Sequence, residues 1–197
     1  DSLYDYFLQR QEKGVLAARE ILIAILQSMG EIWPDGTWVD SIAIGDAAYH
    51  EAVKRYDITD RIVPFHKLSQ WMSYSLIEPL QLAGMKIINL DALTGLAEYR
   101  NGGLFIDTGT ISLRDKTEIE TLHDPKSPLI VEWRALTVTL LDQLAEQIRR
   151  HTNTNAESMP LVSILQGGTW SAGRRIAQRL RSDASPPLRL KSRGTIF

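Results

Sequence analysis

One long helical pattern, from Leu129 to Arg150, limits the possible folds more than any other part of the chain. Its apolar residues recur every three or four positions, at Trp133, Leu136, Leu140, Leu144 and Ile148. Glu146 and Arg150 add a favourable i,i+4 pair on the same helix. An amphipathic helix of this length has to cover its apolar face with other elements. The sequence therefore predicts a fold built around helices.

Apolar periodicity predicts further helices along the chain, and Gly, Pro and polar residues separate them. The predicted helices are Leu3–Met29, Asp46–Tyr56, Phe65–Ala83, Asp91–Gly103 and Thr169–Arg181. The short apolar run Leu104–Asp107 predicts a strand, with Gly109–Leu113 as its hairpin partner. We therefore expect a mainly α protein, a multi-helical bundle with one small β-hairpin, folded as a single domain over residues 1–197.

Composition excludes several classes of function. The 197 residues carry a net charge of −2 with no long basic stripe, which argues against nucleic-acid binding. The chain has no cysteine, so disulfides, thiolate metal sites and a cysteine nucleophile are excluded. Its four histidines show no metal-ligand spacing, and we expect neither a metal nor a cofactor. The longest apolar stretch, Val15–Met29, contains Arg19 and Glu20, so we expect no membrane span and a cytoplasmic location.

The segment Leu93–Asp107 contains the first group of candidate site residues. Glu98, Tyr99 and Arg100 are adjacent, two glycines follow, and Asp107 lies beyond them. Two carboxylates that converge across such a turn can share acid–base work or stabilise a cationic transition state. A structural explanation is the commoner one for residues of these types, with Glu98 and Arg100 as a surface pair and Asp107 as a cap.

Two other segments contribute candidates. His66 and Lys67 occupy the first turn of a predicted helix, where free backbone N–H groups can hold an anion, and His66 can titrate near neutral pH. Glu132 and Arg134 flank Trp133 at the start of the long helix, so one of them can face a groove while the other is solvated. A half-buried histidine and a solvated helix face are the simpler explanations.

Seven motifs, in order, resemble one protein family. They are IWPDG, IGDAAYH, VPFHKLSQWMSYSLIEPLQLAG, LTGLAEYRNGGLFIDTG, VEWRALTVTLLDQLA, QGGTWSAGRRIA and PPLRLKSRGTIF. On these motifs the chain is identified as a member of a uracil-catabolism protein family of fungi and bacteria, once filed as a domain of unknown function. Members are longer, and the chain corresponds to their C-terminal half, so the missing N-terminal half is an expected partner. The stretch LTGLAEYR is also similar to queuosine-salvage nucleosidases, which implies a DNA-glycosylase-like fold.

The resemblance implies an N-ribosyl hydrolase that releases urea from a ribosylurea phosphate or a related nucleotide. Glu98 or Asp107 would then stabilise the cationic sugar and activate water, and His66 would protonate the departing urea. Tyr99 would orient or stack against the substrate. Lys67, Arg100 and Arg134 would hold its phosphate, and Glu132 is a further substrate-binding candidate. The alternative is a non-catalytic nucleotide-binding or scaffold partner in the same pathway.

Overall fold

Helices dominate the computed structural model, which describes residues 2–33 and 35–191. The α-helices are α1 (Leu3–Leu8), α2 (Ala18–Met29), α3 (Lys67–Leu82), α4 (Tyr99–Asp107), α5 (Pro128–Thr152), α6 (Leu161–Ile164) and α7 (Trp170–Leu180). A π-helical segment, Leu165–Thr169, joins α6 to α7. The prediction of a mainly α protein is confirmed.

Short strands form four separate two-stranded sheets within the described residues. The strands are β1 (Val15–Ala17), β2 (Thr37–Val39), β3 (Ile42–Gly45), β4 (Ala47–Tyr49), β5 (Ile62–Pro64), β6 (Lys86–Ile88), β7 (Leu122–His123) and β8 (Arg189–Leu190). The β2–β3 and β4–β5 pairs are antiparallel, whereas β1–β6 and β7–β8 are parallel. These strand pairs lie outside the helices, and within the described residues they do not form a larger sheet.

The main core lies between α2, α3 and the C-terminal helices. α2 packs against α3, and α4 lies between α5 and α7. Phe7, Leu16, Ile21 and Leu141 are fully buried in this core. Burial of such side chains contributes roughly 1.5–3 kcal/mol each, which makes this contact region the main source of stability.

Three of the predicted helices are confirmed, at positions 65–83, 129–150 and 169–181. The predicted helix over residues 3–29 is wrong as one element, because Lys13 and Gly14 adopt positive φ angles and turn the chain between α1 and α2. The predicted helix over residues 46–56 is also wrong. Ala47–Tyr49 pairs with Ile62–Pro64 as a strand, so tertiary pairing overrides the local helical pattern.

The predicted hairpin of Leu104–Asp107 with Gly109–Leu113 is wrong. Leu104–Asp107 forms the last turn of α4, which ends before Gly109, at φ +74°. The predicted helix from Asp91 to Gly103 is wrong as well, since that stretch holds a 3-10 turn at Leu90–Ala92 and then the start of α4. A short apolar run fits a strand and a buried helical turn equally well, and here the cap at Glu98 starts the helix.

The two glycines inside α4 allow neighbouring segments to pack closely against it. A Cβ at Gly102 would lie 2.7 Å from Thr137 Oγ1 and 2.8 Å from Trp133 Nε1. The indole N–H of Trp133 donates a hydrogen bond to the Gly102 carbonyl oxygen over 3.0 Å. Gly102 thus lets α4 approach α5 directly, whereas Gly103 faces Pro187.

No helix among the described residues is both long and apolar enough to cross a membrane. The sequence motif at the C-terminus is described only as far as Lys191, and its residues 192–197 lie outside the described part, as does Pro34 of the IWPDG motif.

A substitution at Gly173 tests the contact between α4 and α7. A Cβ there would lie 2.1 Å from the Arg100 carbonyl oxygen, a backbone atom, so Gly173→Ala should lower the free energy of unfolding by about 1–3 kcal/mol or more. Urea denaturation followed by circular dichroism measures this loss. Gly168→Ala is the control, because its Cβ would meet nothing within 4 Å. Equal stability of the two variants would contradict this close approach.

Candidate functional site

A buried ion pair between Asp46 and Arg134 lies at the centre of the candidate site. Arg134 Nη1 donates to Asp46 Oδ1 over 2.9 Å, and Nη2 donates to Oδ2 over 2.7 Å. Arg134 is fully buried and Asp46 is nearly so. A two-point guanidinium–carboxylate contact is the geometry that best compensates the loss of water around both charges.

The same ion pair connects four segments that are distant in sequence. Asp46 Oδ2 accepts the backbone N–H of Lys67 at the start of α3, and the Asp46 carbonyl oxygen accepts those of Phe65 and His66. Arg134 Nε donates to the Ala97 carbonyl oxygen over 3.3 Å, immediately before Glu98. The ion pair therefore holds the backbone at Lys67 and immediately before Glu98. Both residues are positioned by it.

Glu98 begins α4 as its N-cap. Its Oε2 accepts the backbone N–H of Arg100 over 2.9 Å, and its Oε1 accepts that of Asn101 over 2.5 Å. The side chain is largely buried, with Glu98 only 9 % exposed. Burial raises the pKa of the carboxyl, and the two backbone hydrogen bonds and the positive charges of Lys67 and Arg100 oppose that rise. The result is a fixed, desolvated carboxyl group.

Lys67 supplies a cation within electrostatic range of this carboxyl. The residue is 7 % exposed, and burial, assisted by the positive charge of Arg134, lowers the pKa of its ammonium group to about 8. The charges of Asp46 and Glu98 act in the opposite direction. Glu98 and Lys67 therefore have pKa values that move toward each other, a pattern that is frequent in acid–base sites and also occurs in structural ion networks.

His66 adopts a left-handed backbone conformation, with φ 50°, just before α3. Its Nδ1 is buried and has no hydrogen-bond partner among the described residues. Burial lowers the pKa of the imidazole, against the attraction of Asp46 and together with the repulsion of Arg134. The ring is therefore neutral at neutral pH, and its buried nitrogen can bond a ligand atom.

The structure does not bring Asp107 together with Glu98. The two residues lie at opposite ends of α4, about 13 Å apart along the helix axis at 1.5 Å per residue. Asp107 forms a two-point ion pair with Arg181, through Nη1 over 2.8 Å and Nη2 over 2.5 Å. Neither carboxylate points into bulk solvent, but they do not share a pocket.

The other predicted site residues lie around the edge of the cluster. Tyr99 packs beside Trp133 and Ile130, and the Arg100 guanidinium lies 4.8 Å from the Tyr99 ring centre. Arg100 also donates to the Ala184 carbonyl oxygen over 2.9 Å. Glu132 is exposed and contacts His50 Nε2 over 3.2 Å. Thus His66, Lys67, Glu98 and Arg134 come together, whereas Asp107 and Glu132 lie apart.

Asp46 is the central residue that the sequence analysis missed. Its carboxylate falls inside an apolar motif, IGDAAYH, and Arg134 falls on the buried side of α5 beside Trp133 and Thr137. An arginine on a buried helix face needs a carboxylate partner, since an unpaired buried charge is costly. That requirement indicates that a partner exists without saying which of the acidic residues it is.

Among the described residues no group of histidine and acidic side chains has the arrangement of a metal site. The cluster consists of two carboxylates, a lysine, an arginine and an imidazole, from Asp46, Glu98, Lys67, Arg134 and His66. Such a cluster can bind a polar ligand and transfer protons.

Breaking the ion pair should cost more than removing it. Arg134→Leu leaves the Asp46 carboxylate buried without its main counter-charge, and we expect a loss of roughly 3–5 kcal/mol in the free energy of unfolding. The double variant with Asp46→Asn should recover part of this loss, because the uncompensated charge is gone. Chemical denaturation of the single and double variants measures both effects. Strictly additive losses would contradict the coupling.

Comparison with known proteins places the chain among its relatives. A family described as "Protein of unknown function (DUF1688)" matches residues 1–197. "Protein urg3" of Schizosaccharomyces pombe is 43 % identical over 169 residues, covering 84 % of this chain and 41 % of that protein. "Uracil catabolism protein 4" of Lachancea kluyveri is 36 % identical over 221 residues, covering 100 % of this chain and 49 % of that protein.

These matches show both which family the chain resembles and how much of each relative it covers. The chain spans about half the length of the curated relatives it matches. No solved structure matches it. Since the family model covers every residue and both relatives exceed 30 % identity, the chain belongs to the DUF1688 family, whose curated members include a protein named for uracil catabolism.

Proposed function

We propose that this chain contributes the acid–base residues of a cytoplasmic N-ribosyl hydrolase in uracil catabolism. The substrate class is a ribosylurea phosphate or a related nucleotide, and the reaction releases urea. The pathway is inferred from the name of a relative that is 36 % identical to the chain. The reaction is inferred from one observation, the desolvated Glu98 carboxyl within electrostatic range of the buried Lys67 ammonium.

Glu98 fits the role of the carboxylate that this reaction needs. When the bond between C1′ and the urea nitrogen breaks, positive charge develops on the sugar, and a fixed carboxylate in a site of low polarity lowers the barrier. Two backbone N–H groups hold both Glu98 oxygens in place, so the group needs no reorganisation. The same carboxylate can accept a proton from the attacking water. Asp107 is engaged by Arg181, which leaves Glu98 as the proposed group.

Lys67 fits the role of the general acid. With a pKa of about 8, its ammonium group is mostly protonated at neutral pH and still gives up its proton readily. It would protonate the urea nitrogen as the C1′–N bond breaks. His66, neutral because its pKa is lowered, would instead hydrogen-bond the substrate through its buried Nδ1. This assignment moves the acid role from the histidine to its neighbour.

The phosphate-binding role falls to Arg100 in this proposal. Arg134 is committed to Asp46 through both terminal nitrogens, so it supports the site without contacting phosphate. Arg100 lies within one turn of Glu98, and its guanidinium donates through Nη1 to the Ala184 carbonyl oxygen and lies 4.8 Å from the Tyr99 ring centre. We propose that the remaining length of the family's proteins completes the site, and that this N-terminal half is the main partner.

The burial of Glu98 and Lys67, which are both less than one-tenth exposed, also supports a second function. Enclosed charges of this kind also stabilise a non-catalytic nucleotide-binding or scaffold protein, in which the cluster would be purely structural. The two functions differ in outcome: the hydrolase releases urea from ribosylurea phosphate, whereas the scaffold binds partners without turnover.

Replacing the Glu98 carboxylate tests the hydrolase directly. Glu98→Gln, in this chain and in a full-length family member, should lower the rate of urea release by about 10²–10⁴-fold. The cost in folding should be about 1–3 kcal/mol, because the amide oxygen can accept only one of the two backbone N–H groups that Glu98 holds. Urea production from ribosylurea phosphate measures the rate.

Asp107→Asn is the matched control for this experiment. It removes a carboxylate from the same helix and weakens the bond to Arg181, so it should lower stability while leaving the rate per folded molecule within a few-fold. Unchanged urea release by Glu98→Gln, or no release by the parent full-length protein, would refute the proposal.

The pH dependence tests the partnership of Glu98 and Lys67. The reaction needs an ionised Glu98 and a protonated Lys67, so the rate should rise as pH passes the raised pKa of Glu98 and fall above pH about 8. Lys67→Arg keeps the charge but holds its proton far above neutral pH. It should lower the rate at pH 7 and remove the decline above pH 8. Persistence of that decline in Lys67→Arg would exclude Lys67 as the acid.

A further inference from the structure

A cavity of about 480 Å³ opens between α3 and the segment from α6 to α7, and its lining includes Leu96 and Asn101, which lie on either side of Glu98 in the sequence. One wall is α3, through Trp71 and Tyr74, and the opposite wall is the segment from α6 to α7, through Gln166 and Trp170. Its volume lies within the range of about 300–1,000 Å³ that is usual for small-molecule sites.

Two indole rings border this cavity from different helices. Trp71 is 51 % exposed on α3, and Trp170 is 37 % exposed on α7. Tryptophan side chains usually bury most of their large apolar surface, so two half-exposed indoles at one cavity indicate a site for a flat ligand. Stacking on an aromatic side chain is insensitive to the identity of a planar base and contributes substantial affinity.

The polar groups of the cavity suit a neutral ligand. Gln166, Ser75 and Ser171 offer amide and hydroxyl groups, and Glu78 adds a carboxylate. None of the described lining residues is lysine, arginine or histidine. Glu78 disfavours an anion such as phosphate, although the Arg174 guanidinium lies 5.7 Å from the Trp170 ring centre, whereas a neutral group with N–H donors and carbonyl acceptors finds complementary partners.

Asn101 connects the cavity with Glu98. Asn101 lies on the floor, and its backbone N–H donates to Glu98 Oε1. The Asn101 side chain is occupied by Thr169 over 2.9 Å and by the Leu96 carbonyl oxygen over 3.3 Å, which makes the floor rigid. Asn101 therefore contacts both the cavity and the proposed catalytic carboxyl, although Glu98 itself does not line the cavity.

The opposite wall has an unusual backbone. Leu165–Thr169 is π-helical, and such insertions occur frequently at functional sites. This wide turn separates Gln166 from Trp170 and turns both toward the same cavity.

We propose that the cavity between Trp71 and Trp170 binds the neutral planar ureide of the substrate, the N–CO–N unit that uracil and urea share. The rings of Trp71 and Trp170 pack against its faces, Gln166 bonds its edge, and the attached sugar lies on the side of Asn101, whose backbone N–H holds Glu98. This inference rests on the proposed function and defines which part of the substrate each side of the site holds. The same ureide occurs in an intact pyrimidine ring and in its ring-opened remnant.

Calorimetric titration with uridine and with N-ribosylurea tests the assignment, because both probes are neutral and lack phosphate. The protein is the Glu98→Gln variant of a full-length family member, so that binding is measured without turnover. Trp71→Leu and Trp170→Leu should each raise Kd by about tenfold or more. Trp38→Leu is the matched control, since Trp38 is 52 % exposed and does not line the cavity, and its Kd should not change.

The two probes distinguish the sources of the ureide. Tighter binding of uridine assigns the site to an intact ring, and tighter binding of N-ribosylurea assigns it to the opened form. Millimolar or absent binding of both, or an equal loss in Trp38→Leu, overturns the inference. Urea release without tryptophan-dependent binding would leave the proposed function standing and reject the cavity, whereas the reverse result would reject the function alone.

Discussion

The ion pair of Asp46 and Arg134 is the constraint on which the rest of the site depends. A charge that leaves water must be compensated in place, and here each partner satisfies two bonds of the other. The remaining bonding capacity of the pair then holds the start of α3 through the Lys67 N–H, and the approach to α4 through the Ala97 carbonyl oxygen. A strand, two loops and the longest helix are thereby fixed relative to one another. That arrangement determines the positions of Lys67 and Glu98.

α4 carries this arrangement into the second half of the molecule. Its N-terminus is capped by Glu98, its Gly102 allows a close approach to α5, and Gly173 of α7 lies against its Arg100 carbonyl oxygen. Asp107 at its other end is fixed by Arg181, so the helix is held at both termini. Because the capping carboxylate and the floor residue Asn101 are neighbours, any shift of α4 would change the acid–base cluster and the adjacent cavity together.

The sequence predicted what local periodicity determines and missed what distant partners determine. The extent of α5 was predictable because apolar residues repeat along the helix itself, but its buried face was not, since Leu136 of the predicted stripe is exposed and Thr137 and Leu141 are buried instead. The run Leu104–Asp107 was not predictable, since four apolar-rich residues suit either structure and the deciding contact is the cap at Glu98. Residue types identified Glu98, Lys67, His66 and Arg134 as candidates. Asp46 escaped because its partner is 88 positions away, and Asp107 was grouped with Glu98 because the assumed hairpin would have brought them together.

The electrostatics also explain how one cluster can hold a proton donor and a proton acceptor at neutral pH. Burial raises the pKa of Glu98 and lowers that of Lys67, so desolvation alone would favour two neutral groups. Backbone N–H groups at the start of α4 stabilise the carboxylate, and the charges of Asp46 and Glu98 stabilise the ammonium. These effects oppose burial without cancelling it, so the pKa of Glu98 stays raised and that of Lys67 stays lowered. The helix cap that positions the two Glu98 oxygens therefore also favours their charged form.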